Sequence, residues 1–250
     1  MLLIIAGFDT ISFGFYVALN SLTPVWLQKP LRAGGIYGWS VTENAACKAP
    51  LSTISSNADE LVTFVHWIGF VVGLAYGHFF SDRIPMWLVR HNKEGVWKPE
   101  YRLHALWPTN FVLMPLGLGL VGCAMQYRLH WFVMALAQFF VTIGSLVSIP
   151  VTVNYICECF RTHTIEATLV LNSMRLFLGL SINFYINPWI AAVGVGWVYG
   201  MMAFFSVLAF MFLIVLMIWG HRIRQWTPWG TSQSEDGLHV LTKQPQDHGL

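Results

Sequence analysis

The chain has 250 residues, of which 56% are hydrophobic and 10% are Asp, Glu, Lys or Arg, and its formal net charge is +2. A soluble domain normally carries about 25% charged residues, so this composition excludes an ordinary water-soluble globular protein. The small net charge gives no basis for nucleic-acid binding, which requires a concentrated positive surface. The mean hydropathy of +0.57 indicates an integral membrane protein.

Six stretches of the chain are almost free of charge and long enough to cross a bilayer, which takes about 20 apolar residues. Residues 176–220 hold no charged side chain but are too long for one span, and Asn187-Pro188 and residues 194–196 divide them. The predicted fold is an all-α membrane protein with six transmembrane helices. The spans are predicted at residues 1–27, 61–80, 105–126, 131–156, 167–192 and 195–220, within a half-bundle over residues 1–225.

The basic residues predict the orientation of these helices, because Lys and Arg concentrate on the cytoplasmic side of membrane proteins. Eight of them follow even-numbered spans and four follow odd-numbered spans. Both termini are therefore predicted to be cytoplasmic, and the sequence does not name the membrane. Residues 226–250 turn polar and are expected to form a disordered cytoplasmic tail. The chain begins directly on an apolar run, and we expect this to be the point at which the linker of a longer protein would end.

Enzyme chemistry is not favoured by the sequence. We find no nucleophile paired with a base, no HExxH and no clustered histidines. Cys157 and Cys159 are close in sequence, but without neighbouring His or Cys partners they are a weak metal signal. We therefore expect no cofactor and no metal.

Four of the six spans, the first, second, fourth and fifth, carry polar residues at helical spacing, so that they share one helix face. The third and sixth spans carry few polar residues, such as Thr109 and Asn110, and these form no stripe. Polar groups are costly in hydrocarbon, so each stripe faces either a watery cavity or another helix to which it hydrogen-bonds. Under the cavity interpretation the candidate residues are Asp9, Tyr16, Asn20, His66, Gln138, Thr142, Ser145, Asn172, Arg175 and Asn183.

Arg175 is the most informative of these residues, since it lies near the middle of its span. An unpaired cation there costs at least about 2.5–3.5 kcal/mol, so it requires a partner or a cavity. Asp9 of the first span is a candidate counter-charge, and a segment outside the chain is an alternative. His66 is either a proton or ligand contact or a bridge between two helices. A row of glycines, Gly69, Gly73 and Gly77, predicts close helix packing, with a hinge as the alternative.

Several motifs resemble one known family. The chain reads Gly77-His-Phe-Phe-Ser81-Asp82-Arg83 and then Pro99-Glu100-Tyr101-Arg102-Leu103 between the second and third spans. Asn172-x-x-Arg175 and Asn187-Pro188-Trp189-Ile190 follow in the fifth span. These elements resemble the second half of fungal major facilitator superfamily transporters.

The resemblance implies that the six spans correspond to helices 7–12 of a twelve-helix fold, arranged as a 3+3 repeat. In that fold helices 7, 8, 10 and 11 line a central cavity, which agrees with the polar stripes. It also implies a conformational latch in the cytoplasmic loop after the second span; plain topology-setting charge is the alternative for Arg90. The latch residues would be Gly77, Asp82, Arg83, Arg90, Glu100 and Arg102.

Three features depart from the family pattern. The spacing from Gly77 to Asp82 is one residue longer than usual, which puts the latch geometry in question. Helices 1–6 have no counterpart in the chain. Residues 48–61 (KAPLSTISSNADEL) are a possible insertion, which we interpret as a retained intron or another gene-model error. A spliced transcript that lacks this stretch would support that interpretation, and its uniform presence would contradict it.

The function expected from the sequence is that of the C-terminal half of a secondary active transporter. Such a protein would move a small organic solute by alternating access and would be linked to protons through Asp9 or His66. Its partners would be the solute, protons, the lipid bilayer and the missing N-terminal half or another chain, with no nucleic acid. The alternative is a truncated, transport-inactive membrane protein that at most pairs with other transporter chains.

Overall fold

The computed structural model describes residues 1–28, 57–91, 99–160 and 163–225, and these parts are almost entirely helical. The third span begins with a 3₁₀ segment, Pro99–Leu106, and a π-helical segment, Trp107–Leu113, before its α-helix. Six helices in the described residues are long and apolar enough to cross a membrane, which confirms the predicted all-α membrane fold. The α-helices are α1 (Leu2–Gln28), α2 (Asn57–His91), α3 (Met114–Tyr127), α4 (Trp131–Cys159), α5 (Thr164–Val193) and α6 (Val195–Gln225).

The second helix differs most from the span expected for it. We predicted residues 61–80, whereas α2 runs from Asn57 to His91 with Pro85 inside it. At 1.5 Å per residue this helix is about 50 Å long, well beyond the roughly 30 Å of hydrocarbon. The Asp82-Arg83 pair and Arg90 therefore lie on a helix and not in a loop, which corrects the sequence interpretation. Hydropathy locates the apolar part of a helix, but the helix itself can continue into water.

Two predicted segments fall largely outside the described residues. Of the possible insertion at 48–61, only residues 57–61 are described, and they form the first turn of α2. The predicted tail, 226–250, lies wholly outside the described part of the chain.

The packing of the helices follows a 3+3 pattern. The most extensive helix contacts are those of α1 with α5 and of α2 with α4. Exchanging α1 with α4, α2 with α5 and α3 with α6 maps one of these pairs onto the other. The contacts of α3 with α4 likewise map onto those of α6 with α1. The bundle is thus built from two related three-helix units, with α1 and α4 at its centre.

Glycines allow the close approach of several helices. A Cβ built on Gly117 of α3 would lie 2.7 Å from Val141 Cγ2 and 2.9 Å from the Ala137 carbonyl oxygen of α4. Gly69 and Gly73 of α2 face α4 closely, in agreement with the packing interpretation, whereas a Cβ on Gly77 would meet nothing within 4 Å. Gly194 has φ +91, a left-handed value that favours glycine, and it separates α5 from α6 at the predicted break.

Burial is uneven among the helices. The third span has no polar stripe and was expected to lie at the periphery of the bundle. Its Thr109 and Asn110 are nevertheless buried, each with 1% exposure. In contrast, α2 and α5 expose broad apolar faces, including Trp67 on α2 and Phe184 on α5. The polar stripes therefore identified the helices whose polar side chains contact one another. They did not identify which helices are most buried by the rest of this chain.

Candidate functional site

The described polar side chains of α1, α2, α4 and α5 form two clusters. The first is the ion-pair cluster, and it joins α1, α4 and α5. Arg175 Nε donates to Asp9 Oδ2 over 2.7 Å, and Arg175 Nη2 donates to the same oxygen. The structure thus brings together the two charges that the sequence proposed as partners. The ion-pair cluster consists of Asp9, Ser148, Thr152, Asn172 and Arg175.

The carboxylate of Asp9 is fully enclosed. Its Oδ2 accepts two hydrogen bonds from Arg175. The hydroxyls of Ser148 and Thr152 on α4 each lie 3.3 Å from Asp9 Oδ1, and each shares its single proton between that oxygen and a nearer carbonyl oxygen of its own helix. Asp9 is 0% exposed and Arg175 is 6% exposed. The buried pair is net neutral.

The guanidinium of Arg175 is held from its other sides as well. Its Nη1 donates to Asn172 Oδ1 over 3.1 Å, one turn away on α5. Its Cζ lies 5.5 Å from the centre of the Phe13 ring on α1, a cation–π distance. Arg175 therefore ties α1, α4 and α5 together near the middle of the bundle.

The second group is the histidine cluster, which joins α1, α2 and α4 and lies farther along α1. Tyr16 Oη and His66 Nε2 are 2.7 Å apart, and Thr142 Oγ1 and His66 Nδ1 are 2.9 Å apart. Gln138 Nε2 donates to Asn20 Oδ1 over 2.5 Å. Tyr16 is seven residues after Asp9, so the two clusters are about 10 Å apart along the helix. The histidine cluster consists of Tyr16, Asn20, His66, Gln138 and Thr142.

The hydrogen bonds of the histidine cluster assign the tautomer of His66. The Thr142 hydroxyl donates its single proton to the Gln138 carbonyl oxygen over 2.8 Å. Thr142 Oγ1 is nearer to His66 Nδ1, at 2.9 Å, than Gln138 Nε2 is, at 3.5 Å, so it is assigned as the acceptor of Nδ1–H, and His66 Nε2 then accepts from Tyr16 Oη–H. The Tyr16 and His66 rings are also stacked, with centroids 5.4 Å apart and an interplanar angle of 19°. Unlike Asp9, His66 is only half-buried, so it is open to the outside of the bundle.

Two predicted cavity residues belong to neither cluster. Asn183 donates to the Gly179 carbonyl oxygen of its own helix over 3.0 Å. Ser145 is 0% exposed, and its hydroxyl has no hydrogen-bond partner in the described part of the chain. The other eight candidates lie in one cluster or the other.

A third polar contact was missed from the sequence. Ser12 of α1 donates to Asn110 Oδ1 over 3.1 Å, and Asn110 Nδ2 donates to the Gly144 carbonyl oxygen of α4 over 3.1 Å. Asn110 lies in the π-helical segment, and it links the third span to both central helices. A lone polar residue in an apolar span could have signalled such a link, because it needs a partner in the membrane.

The residues predicted to form a latch are spread over several elements. Arg102 Nε and Glu158 Oε1 are 2.6 Å apart, which joins the 3₁₀ segment to α4. Glu100 is 5% exposed and packs against Gly220 of α6. Arg83 and Arg90 are exposed on α2, and the side chain of Asp82 lies outside the described part of the structure. The latch therefore stays a prediction.

The described residues contain no group of three or more His, Cys, Asp or Glu side chains that could hold a metal ion. The available chemistry is that of hydrogen bonding, ring stacking and a half-exposed imidazole.

Comparison with known proteins identifies relatives along most of the chain. The MFS-type transporter atr4 of Stereocaulon alpinum is 32% identical over 63% of this chain and 28% of its own length. The MFS-type transporter penM of Penicillium rubens is 25% identical over 63% of this chain and 30% of its own length. Protein HOL1 of Saccharomyces cerevisiae is 24% identical over 82% of this chain and 35% of its own length.

No family model matches the chain, and no solved structure matches it. The chain spans about a third of the length of the curated relatives it matches. The relatives, the six apolar helices and the 3+3 packing agree with one another. The chain is therefore similar over most of its length to fungal MFS-type transporters, and its six helices resemble half of the twelve-helix fold of the major facilitator superfamily.

Proposed function

We propose that this chain is the C-terminal half of a secondary active transporter that moves a small organic solute by alternating access, coupled to protons. The observation that carries the proposal is the histidine cluster. It gathers polar side chains from three helices and leaves the imidazole half-exposed, unlike the enclosed ion-pair cluster. The names of the relatives support transport as the general activity.

A second set of observations supports a missing half as partner. The exposed faces of α2 and α5 are apolar and lie on the helices that flank the central pair. Contiguous apolar surface of this kind marks an interaction face or a lipid face. We propose that these two helices pack against an N-terminal half, or against another chain that supplies it, and that both termini are cytoplasmic.

The proton carrier in this proposal is His66 and not Asp9. Asp9 is enclosed and accepts two hydrogen bonds from Arg175, so protonating it would break the ion pair and leave Arg175 without its counter-charge. His66 can take a second proton with little rearrangement. Thr142 Oγ1 already accepts from Nδ1–H, and rotation of the Tyr16 hydroxyl would let Tyr16 accept from Nε2–H.

Proton coupling can be tested in vesicles that contain a trapped pH dye. The chain would be reconstituted together with the N-terminal half of the Stereocaulon alpinum relative, and small organic solutes would be added outside. We expect solute-driven proton movement in vesicles that contain both halves. His66→Gln, which cannot carry the proton, is expected to abolish proton movement and to retain downhill solute flux.

The matched control is His91→Gln, the same substitution at the exposed C-terminal end of α2. This variant is expected to transport as the parent does. Solute flux without proton movement in the parent would contradict the coupling, and the absence of any flux with both halves present would contradict transport by this chain.

A further inference from the structure

We infer that the histidine cluster binds a solute that donates a hydrogen bond and carries no negative charge. This inference rests on the proposed transport function and adds a substrate class to it. Three observations support it. The side-chain amide oxygen of Gln138 has no hydrogen-bond partner among the described residues, the surface beside it is aromatic, and Arg175 is already ion-paired with Asp9.

Gln138 presents a buried acceptor that none of the described residues bonds. Its side chain is 2% exposed, and its Nε2 is oriented by the Asn20 carbonyl oxygen at 2.5 Å. The other amide atom, Oε1, is buried and has no hydrogen-bond partner among the described residues. A carbonyl oxygen can only accept, and leaving one buried and unpaired costs about 1–3 kcal/mol. The group that would complete it is an N–H or O–H of a ligand.

The surface next to this acceptor is aromatic. Tyr16 stacks on His66, and the Phe13 ring centre lies 5.8 Å from that of Tyr16. Tyr16 and His66 are half-buried, so their rings are reachable from outside the bundle. Such a surface suits an apolar or planar body attached to the donor group.

The charges near the cluster disfavour an anion. In the described, membrane-spanning parts of α1, α2, α4 and α5, Arg175 is the one Lys or Arg residue. Its guanidinium is ion-paired with Asp9. Arg83 and Arg90 lie at the far end of α2, with Arg83 seventeen residues, or about 25 Å, from His66. While His66 is neutral, a carboxylate brought to Gln138 Oε1 would meet an acceptor and no free positive charge, so the anion is disfavoured in the unprotonated state of the cluster.

Three small probes that share a phenyl ring test this class: phenethylamine, 2-phenylethanol and phenylacetate. Their binding to the purified full chain in lipid nanodiscs would be measured by calorimetry at millimolar concentrations, without a pH gradient. We expect the amine and the alcohol to bind, and phenylacetate to bind at least about tenfold more weakly. Gln138→Leu, which keeps the volume but removes the acceptor, is expected to weaken binding of both donors roughly tenfold.

The control variant is Gln126→Leu, the same substitution at an exposed position on α3, and it should leave binding unchanged. Gln138→Glu keeps acceptor oxygens and adds a negative charge, so it should shift the preference from the alcohol toward the amine. If circular dichroism shows that Gln138→Leu does not fold, the probe preference of Gln138→Glu tests whether residue 138 contacts the donor group.

Equal binding of all three probes, binding unaffected by Gln138→Leu, or no binding of either donor by the folded chain would overturn the inference. Its failure is distinguishable from that of the proposed function, because the assay measures equilibrium binding. Selective binding without flux contradicts only the transport proposal, whereas flux without donor selectivity contradicts only this inference.

Discussion

The ion-pair cluster and the histidine cluster occupy related positions in the 3+3 arrangement but have opposite properties. The first uses α1 and α4 with α5, and the second uses α4 and α1 with α2. Exchanging α1 with α4 and α2 with α5 converts one set of helices into the other. Arg175 on α5 is buried and paired, whereas His66 on α2 is half-buried with polar, uncharged partners.

Under our proposal, one repeated framework supports two roles. An enclosed, net-neutral ion pair offers little to a solute, and breaking it is costly, so its role is to hold helices together. A neutral imidazole beside an amide oxygen that no described residue bonds can gain a ligand or a proton at low cost. The proposal thus assigns stability to one cluster and binding to the other.

The largest expected effect comes from breaking the ion pair. Arg175→Ala leaves Asp9 buried without its counter-charge, and the loss of stability is expected to be about 3–5 kcal/mol. The double variant Asp9→Leu/Arg175→Met replaces both charges with apolar groups, and its stability is expected to equal or exceed that of the parent. Denaturant unfolding in detergent, followed by circular dichroism, measures both.

Arg83→Ala serves as the control for this series, since Arg83 is exposed and its removal should change stability little. A double variant as unstable as Arg175→Ala would mean that the charges themselves are required, and the contrast between the two clusters would then fail.

A smaller effect is expected from the framework behind both clusters. Gly117→Ala adds a methyl group against Val141 and the Ala137 carbonyl on α4, which is expected to cost about 1–3 kcal/mol. Gly119→Ala is the control, since a Cβ there meets nothing within 4 Å. Thermal unfolding of the two variants compares them directly. Equal stability of Gly117→Ala and Gly119→Ala would show that α3 does not pack closely against α4 at Gly117.

The supporting hydroxyls should distinguish the clusters more finely. Ser148→Ala removes one donor from the enclosed Asp9 carboxylate and is expected to cost about 1–2 kcal/mol. Thr142→Val removes one uncharged hydrogen-bond partner of the half-buried His66 and should cost less than about 1 kcal/mol, because neither group of this pair is charged. Both are measured by denaturant unfolding; the reverse order would indicate that the histidine cluster is the structural one.

The smallest effect on stability, and the most specific effect on function, is expected at Tyr16. Tyr16→Phe keeps the ring stacked on His66 but removes the hydroxyl that bonds Nε2. We expect the pH dependence of phenethylamine binding to change in this variant and to stay the same in Ser148→Ala. Calorimetric titrations across the pH range in which imidazole titrates provide the measurement. An identical pH profile in Tyr16→Phe would remove Tyr16 from the proton-responsive group.

Much of the fold could be predicted because the thickness of the bilayer sets the number of apolar residues that a spanning helix needs. The pairing of Asp9 with Arg175 could also be predicted, since a midplane cation needs a counter-charge. The separation into two clusters could not, because it depends on how far each helix is rotated and shifted against its neighbours. Ser148 was overlooked for this reason, and Asn183 was assigned to a cavity although it bonds its own helix.

Other differences have equally local causes. The continuation of α2 to His91 was hidden because charged residues end a hydropathy signal without ending a helix. The role of Asn110 was hidden because one polar residue makes no stripe, although it contacts two helices from the π-helical segment. Polar stripes identify the helix faces that point into the bundle, and single buried polar residues identify hydrogen bonds between individual helices.

The most direct test of the central claim is phenethylamine binding by two variants measured side by side. Asp9→Leu/Arg175→Met removes the ion pair, and we expect it to bind within about twofold of the parent, a difference of less than 0.5 kcal/mol by the usual conversion. His66→Ala removes the centre of the histidine cluster, and we expect binding to weaken roughly tenfold or more. Lost binding in the first variant together with retained binding in the second would contradict the separation of the two clusters.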